Sequence, residues 1–274
     1  MFWEYPSKCK ISTNDEIDDY ISFRQNFNLS LKKQMEKIKF NLTNSSIDLY
    51  LFDGIFKPTG TTRLLVDSVI KNCNNVVDKK ILDLGSGCGV VSISLYKEGL
   101  DNNNFYASDL NKNTVECVLY NADKNNCRVR VKKGSLFEPW DQEKFDIIID
   151  DISGISSELS EISGWFDGVP CESGIGGDSL TNNFLENSVN YLNTGGIVFF
   201  PVISLSNVES ILSTAKKNFD IVECVGRSEW VLPESLHANI DTLEKLKEAG
   251  HINFQNKFGI IIWFTEIYKA YSKT

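Results

Sequence analysis

Apolar and polar positions along the chain fall into two alternating kinds of run. Short runs rich in Ile, Val, Leu and Phe stand at residues 80–84, 145–149 and 197–201, and two further strand-like runs, Phe-Tyr-Ala-Ser at 105–108 and the alternating Arg-Val-Arg-Val-Lys at 128–132, lie between them. Between them, apolar residues return at three- and four-residue spacing over 90–98, 111–123 and 179–192. Runs of the first kind read as buried strands and those of the second as amphipathic helices. Strict alternation of the two predicts an α/β fold with a mostly parallel sheet, right-handed crossovers and helices on both faces. A helix over 206–219, a strand over 221–225, an insertion with a helix over 235–249 and a strand over 259–264 complete seven strands.

The chain ahead of this core has a different pattern. Thr13 offers a capping box with Glu16, and Ile17, Tyr20, Ile21, Phe27, Leu31, Met35 and Ile38 then recur at helical spacing through about Asn41. This predicts an N-terminal helical arm over residues 1–46 and a core domain over 47–274. Such an arm commonly walls a substrate site or forms a homodimer contact. Ile47 to Phe52 alternates as a strand, Asp53-Gly54 turns it, and the segment from Ile55 to Thr62 leads into a helix over 63–72.

Chemistry-bearing residues collect where strands end. After the first core strand stands Asp83-Leu84-Gly85-Ser86-Gly87-Cys88-Gly89, in which three alternating glycines leave the backbone open to a close-lying ligand. Position 90 is Val, so the G-x-G-x-x-G dinucleotide fingerprint is not met. The second strand ends at Asp109, about 20 residues after the last glycine, where a ribose-binding carboxylate belongs. Gly134-Ser135-Leu136 follows the third strand and Asp150-Asp151 the fourth. In open α/β sheets ligands bind in the crevice at the carboxyl ends of the strands.

The D-x-G-x-G-x-G turn resembles the first motif of class I S-adenosyl-L-methionine (SAM) dependent methyltransferases, which have a Rossmann-like fold. Phe56-Lys57-Pro58-Thr59-Gly60-Thr61-Thr62, Leu136-Phe137-Glu138-Pro139 and Thr194-Gly195-Gly196 resemble the HemK/PrmC-like small methyltransferase branch. The resemblance implies a SAM site built from Asp83, Gly85, Gly87, Asp109 with Leu110, Ser135 with Leu136, and Asp150, roofed by Pro58, Thr59 and Thr61. Ser135 stands where that branch commonly carries an acid.

At the acceptor position the chain departs from the branch. An Asn-Pro-Pro-Tyr segment there holds a planar amide or base nitrogen, whereas this chain has Asp151-Ile152-Ser153-Gly154. Asparagine offers a donor and an acceptor, but an ionised aspartate only accepts. Asp150 and Asp151 therefore suit an amine or hydroxyl acceptor, orienting it and taking its proton, and His237 in the late insertion is a second candidate base. Trp165-Phe166 and Trp230 are candidate walls of an acceptor pocket. The expected activity is methyl transfer to an amine or hydroxyl of a small molecule or peptide. Two alternatives stand beside it: methylation of RNA or of a protein glutamine, and a catalytically inactive SAM-binding subunit that supports a partner.

Composition narrows the partners. A formal charge of −9 disfavours nucleic acid, and neither Lys32-Lys33-Lys37-Lys39 nor Arg128-Arg130-Lys132-Lys133 is long enough for a nucleic-acid arm. Seven cysteines without a C-x-x-C pair, and two histidines, argue against a metal site and a disulfide framework. Without a signal-like segment or an 18-residue apolar run, the expected location is cytoplasmic, with no membrane partner.

Overall fold

The computed structural model describes residues 35–273 except 74, 75, 153, 167, 170 and 172. The helical arm expected before residue 35 lies outside the described residues. Its expected tail does not form a helix: β1 (Glu36–Asn41) pairs antiparallel with β2 (Ser46–Leu51). Alternation decides this, because Phe40 turns inward with Ile47, Leu49 and Leu51, while Lys37 reaches across to Asp48 at 2.7 Å.

The parallel core follows the sequence pattern. It consists of β3 (Lys80–Leu84), β4 (Asn104–Asp109), β5 (Val129–Lys133), β6 (Phe145–Asp150) and β7 (Leu192–Ile203). Three further strands are β8 (Ile221–Val231), β9 (Gln255–Lys257) and β10 (Ile260–Tyr271). The sheet order is β5-β4-β3-β6-β7-β10-β8, with β9 paired to β10. Neighbours from β5 through β7 run parallel, and β10 is antiparallel to both β7 and β8. The seven strands expected are those of the main path, and the short β9 is an eighth.

Helices cover both faces. On one lie α1 (Gly60–Cys73), α2 (Val90–Leu95) and α3 (Lys112–Lys124), packed with the β1–β2 hairpin around Leu49, Leu65, Ile93 and Phe199. The opposite face carries α5 (Ser179–Ser188) and α6 (Val208–Asn218), packed around Trp140, Phe145, Phe184 and Phe200, with α4 (Ser157–Ser163) preceding them in the chain. A third apolar cluster joins α4, α7 (Glu234–His237) and α8 (Ile240–Glu248) through Leu159, Leu236, Leu243 and Trp263. Among the described residues no helix is long and apolar enough to cross a membrane.

One side chain ties the hairpin to the core. Asn121 of α3 is fully buried; its amide donates to the carbonyls of Tyr50 and Cys88, both at 2.9 Å, and its carbonyl accepts from the Tyr50 N–H at 2.8 Å. A hairpin residue and the glycine turn after β3 are thereby held by one rigid group. The loop that follows the hairpin is fixed as well, Asn111 donating to the Gly54 carbonyl at 2.8 Å.

Candidate active site

The chain runs from β3 outward through β4 and β5, then returns to place β6 on the other side of β3. Crossovers on the two sides therefore leave a crevice at the carboxyl ends of β3 and β6. A cavity of about 470 Å³ occupies it.

Its floor is the turn after β3. Gly85, Gly87 and Gly89 have φ of 73°, 51° and 80°, a region that side-chain-bearing residues rarely adopt. The Gly85 and Ser86 N–H groups donate to the Ser108 carbonyl at 3.0 and 3.2 Å, and the Gly87 N–H donates to Asp109 Oδ2 at 3.0 Å. Asp109 Oδ1 accepts from the Asn111 N–H at 2.8 Å, so this carboxylate joins the first two strand ends. A Cβ on Gly85 would come within 3.0 Å of the Asp151 carbonyl oxygen. The β6 exit thus packs directly on the glycine turn.

Pro58, Thr59, Thr61, Gly85, Gly87, Asp109, Leu110, Ser135, Leu136 and Asp151 all line this one cavity. Asp151 is half-buried and accepts from Thr62 Oγ1 at 3.3 and 3.5 Å. Burial, and then the nearby carboxyls of Asp83 and Asp150, push its pKa well above the usual carboxylate range.

Three expected site residues stand elsewhere. Asp83 lies beneath the turn, fully buried: Oδ2 accepts from Ser92 Oγ at 2.7 Å and from the Ser92 N–H at 3.1 Å, while Oδ1 has no partner among the described residues. Burial raises its pKa to about 6. Asp150 is also outside the lining; its Oδ1 accepts from the Ile152 N–H at 2.9 Å, Oδ2 has no partner among the described residues, and burial raises its pKa to about 7. Successive residues of a strand point to opposite faces, so at the β6 exit only one acid of the pair enters the cavity. His237 is exposed at the end of α7 and does not line the cavity, because Leu236 is the residue of that short helix that turns inward.

The rest of the wall is aromatic. Phe56, Trp165, Phe166, Trp230 and Trp263 line the same cavity. Phe56 stacks on Phe166 with centroids 5.1 Å apart, and Trp263 contacts Trp165 at 5.5 Å and Trp230 at 6.1 Å. Trp230 and Trp263 are direct partners across β8 and β10. The sequence reading passed over Trp263; its signal is the inward alternation Ile261-Trp263-Thr265 on a strand that pairs with Trp230.

Sheet order, glycine turn and strand-end acids together define a Rossmann-like domain of the kind found in methyltransferases. A solved T. thermophilus 16S rRNA N2 G1207 methyltransferase, in complex with AdoMet and guanosine, shares the fold: TM-score 0.59, 13% identity, covering 89% of this chain and 52% of that one. Residues 57–151 match the family model described as Methyltransferase small domain. A Methanocaldococcus jannaschii protein ascribed protein N5-glutamine methyltransferase activity is 26% identical over 170 residues, covering 62% of this chain and 83% of that protein. A bifunctional methyltransferase of Rickettsia bellii is 37% identical over 86 residues, which are 31% of this chain and 15% of that much longer protein.

Proposed function

We propose that the chain is a SAM-dependent methyltransferase whose acceptor is an amine or hydroxyl of a small molecule or peptide. The observation that carries this reading is convergence: glycine turn, Asp109, Ser135 and Asp151, from four different strand ends, line one cavity. The buried Asp83 Oδ1, without a partner among the described residues, puts negative charge beneath a site that would take a cationic sulfonium.

In this reading Asp109 accepts from the ribose hydroxyls, Ser135, Leu110 and Leu136 flank the adenine, and the Pro58 to Thr62 loop closes over the methionine portion. The bound sulfonium supplies an electrophilic methyl group. Asp151 accepts from the acceptor N–H or O–H and takes its proton as the new bond to carbon forms and the carbon–sulfur bond breaks with its electron pair left on sulfur. Its raised pKa makes it a stronger base than a solvated carboxylate. Asp150 holds the turn that aims Asp151 and does not itself reach the acceptor.

Calorimetry with S-adenosylhomocysteine tests the binding half of the proposal, and release of that product from SAM with a panel of amines, phenols and a glutamine peptide tests the rest. Micromolar binding, weakened at least tenfold by Asp109→Ala, is the expected result. No heat with the wild-type chain would overturn the assignment.

A second reading, methylation of a protein glutamine, draws on the activity ascribed to the Methanocaldococcus relative. Turnover confined to the glutamine peptide would favour it. RNA is the weaker acceptor on electrostatic grounds, since the cavity lining contains no Lys, Arg or His among the described residues.

A further inference from the structure

The acceptor side of the cavity combines two features that one ligand chemistry satisfies. Its charged lining residues are acidic, Asp109 and Asp151, and they share the cavity with the aromatic wall, with no basic side chain among the described residues. The wall itself is built of indoles in contact with one another. Trp263 is tilted 43° to Trp165 and 38° to Trp230, so the three indoles form a curved surface rather than a slot between parallel planes.

Trp230 is held before any ligand arrives. Trp230 Nε1 donates to Thr265 Oγ1 at 3.1 Å, and Thr265 Oγ1 in turn shares a hydrogen bond with Thr61 Oγ1 at 3.0 Å. The far edge of the Trp230 ring lies where a Cβ on Gly60 would stand, at 2.5 Å, so the roof loop rests flush on that indole. Fixed aromatic faces attract a cation through their quadrupoles, most strongly where water is excluded. A parallel-walled slot would instead favour a flat neutral ring.

We infer that the acceptor is a cationic alkylamine, its ammonium cradled by Trp165, Trp230 and Trp263 with Asp151 as its counter-ion. This rests on the methyltransferase reading and names the substrate class of the same site. A neutral alcohol gains nothing from Asp151 beyond one hydrogen bond, and an anionic acceptor meets only acids. The anionic side chain beside the bowl also provides the base that a protonated amine requires before its lone pair is free to react.

Binding is read without turnover by using choline, a quaternary ammonium that offers no N–H, against 3,3-dimethylbutan-1-ol, its neutral carbon isostere. Both are titrated by tryptophan fluorescence into the full chain, with and without S-adenosylhomocysteine, whose own heat of binding is measured separately. Choline should bind at least tenfold more tightly than the isostere. Trp165→Leu, at a half-buried loop position, and Asp151→Asn should each remove most of that preference. Equal affinity for the two probes in both conditions, or a preference that survives both substitutions, would overturn the inference. Absent heat with S-adenosylhomocysteine would instead strike the methyltransferase reading, while the ammonium preference of the unliganded chain would still be read.

Discussion

Replacing Asp83 with asparagine isolates the energetic cost of keeping an acid under the glycine turn. The side chain has 0% exposure and one oxygen without a partner among the described residues, and its pKa rises from 3.8 to about 6. A raised carboxyl pKa means that the native state binds the proton more tightly than the unfolded chain does. The contribution to stability is therefore complete below about pH 4 and is lost as pH rises through 6. A shift of about two units, at about 1.36 kcal/mol each, makes that loss about 3 kcal/mol at neutral pH. Asparagine retains an oxygen for Ser92 and has no charge to desolvate. In urea titrations the variant should match the wild type near pH 4 and exceed it by up to about 3 kcal/mol at pH 8, with an unchanged denaturant slope. A stability difference that stays constant from pH 4 to pH 8 would refute the reasoning.

Other perturbations have equally definite outcomes. Asn121→Ala removes three hydrogen bonds that join the hairpin, α3 and the glycine turn, and should cost roughly 2 to 4 kcal/mol by thermal or urea unfolding. Gly85→Ala places a Cβ 3.0 Å from the Asp151 carbonyl oxygen at a φ of 73°, so it should destabilise by roughly 1 to 3 kcal/mol and, if Asp151 is the base as proposed, lower product release at saturating SAM, since that side chain moves with its backbone. For His237→Ala the expectation is no change in turnover in a coupled assay for S-adenosylhomocysteine, because the imidazole is exposed and off the cavity. Asp151→Asn should reduce kcat by about 100-fold or more while S-adenosylhomocysteine still binds, the separation expected of a base that acts on the acceptor.

The residues whose role is local were legible in the chain itself. Apolar runs fixed the strands because a strand buried on both faces must be apolar throughout, and the three glycines announced their turn because each adopts a positive φ. From the rule that ligands lie at strand carboxyl ends, Asp109, Ser135 and Asp151 could be assigned to one crevice before any coordinates. The β1 strand was harder, because Ile38 continues the helical spacing of the arm as well as the alternation of a hairpin, and only pairing with β2 separates the two.

What periodicity cannot encode is which distant segment arrives on which side. Asp150 and Asp151 are chemically alike and adjacent; the pleat of β6 alone turns one toward Ile152 and the other toward the cavity. Likewise Trp165, Trp230 and Trp263 are scattered over about a hundred residues, each explicable as ordinary packing. Trp230 and Trp263 meet because β10 inserts antiparallel between β7 and β8, a pairing set by long-range hydrogen bonds rather than by any local preference, and Trp165 reaches Trp263 from the turn after α4. Sequence alone thus determined the parallel strands, the turn and the acids at their ends, while the aromatic wall of the cavity was decided by tertiary structure, because its residues come from segments far apart in the chain.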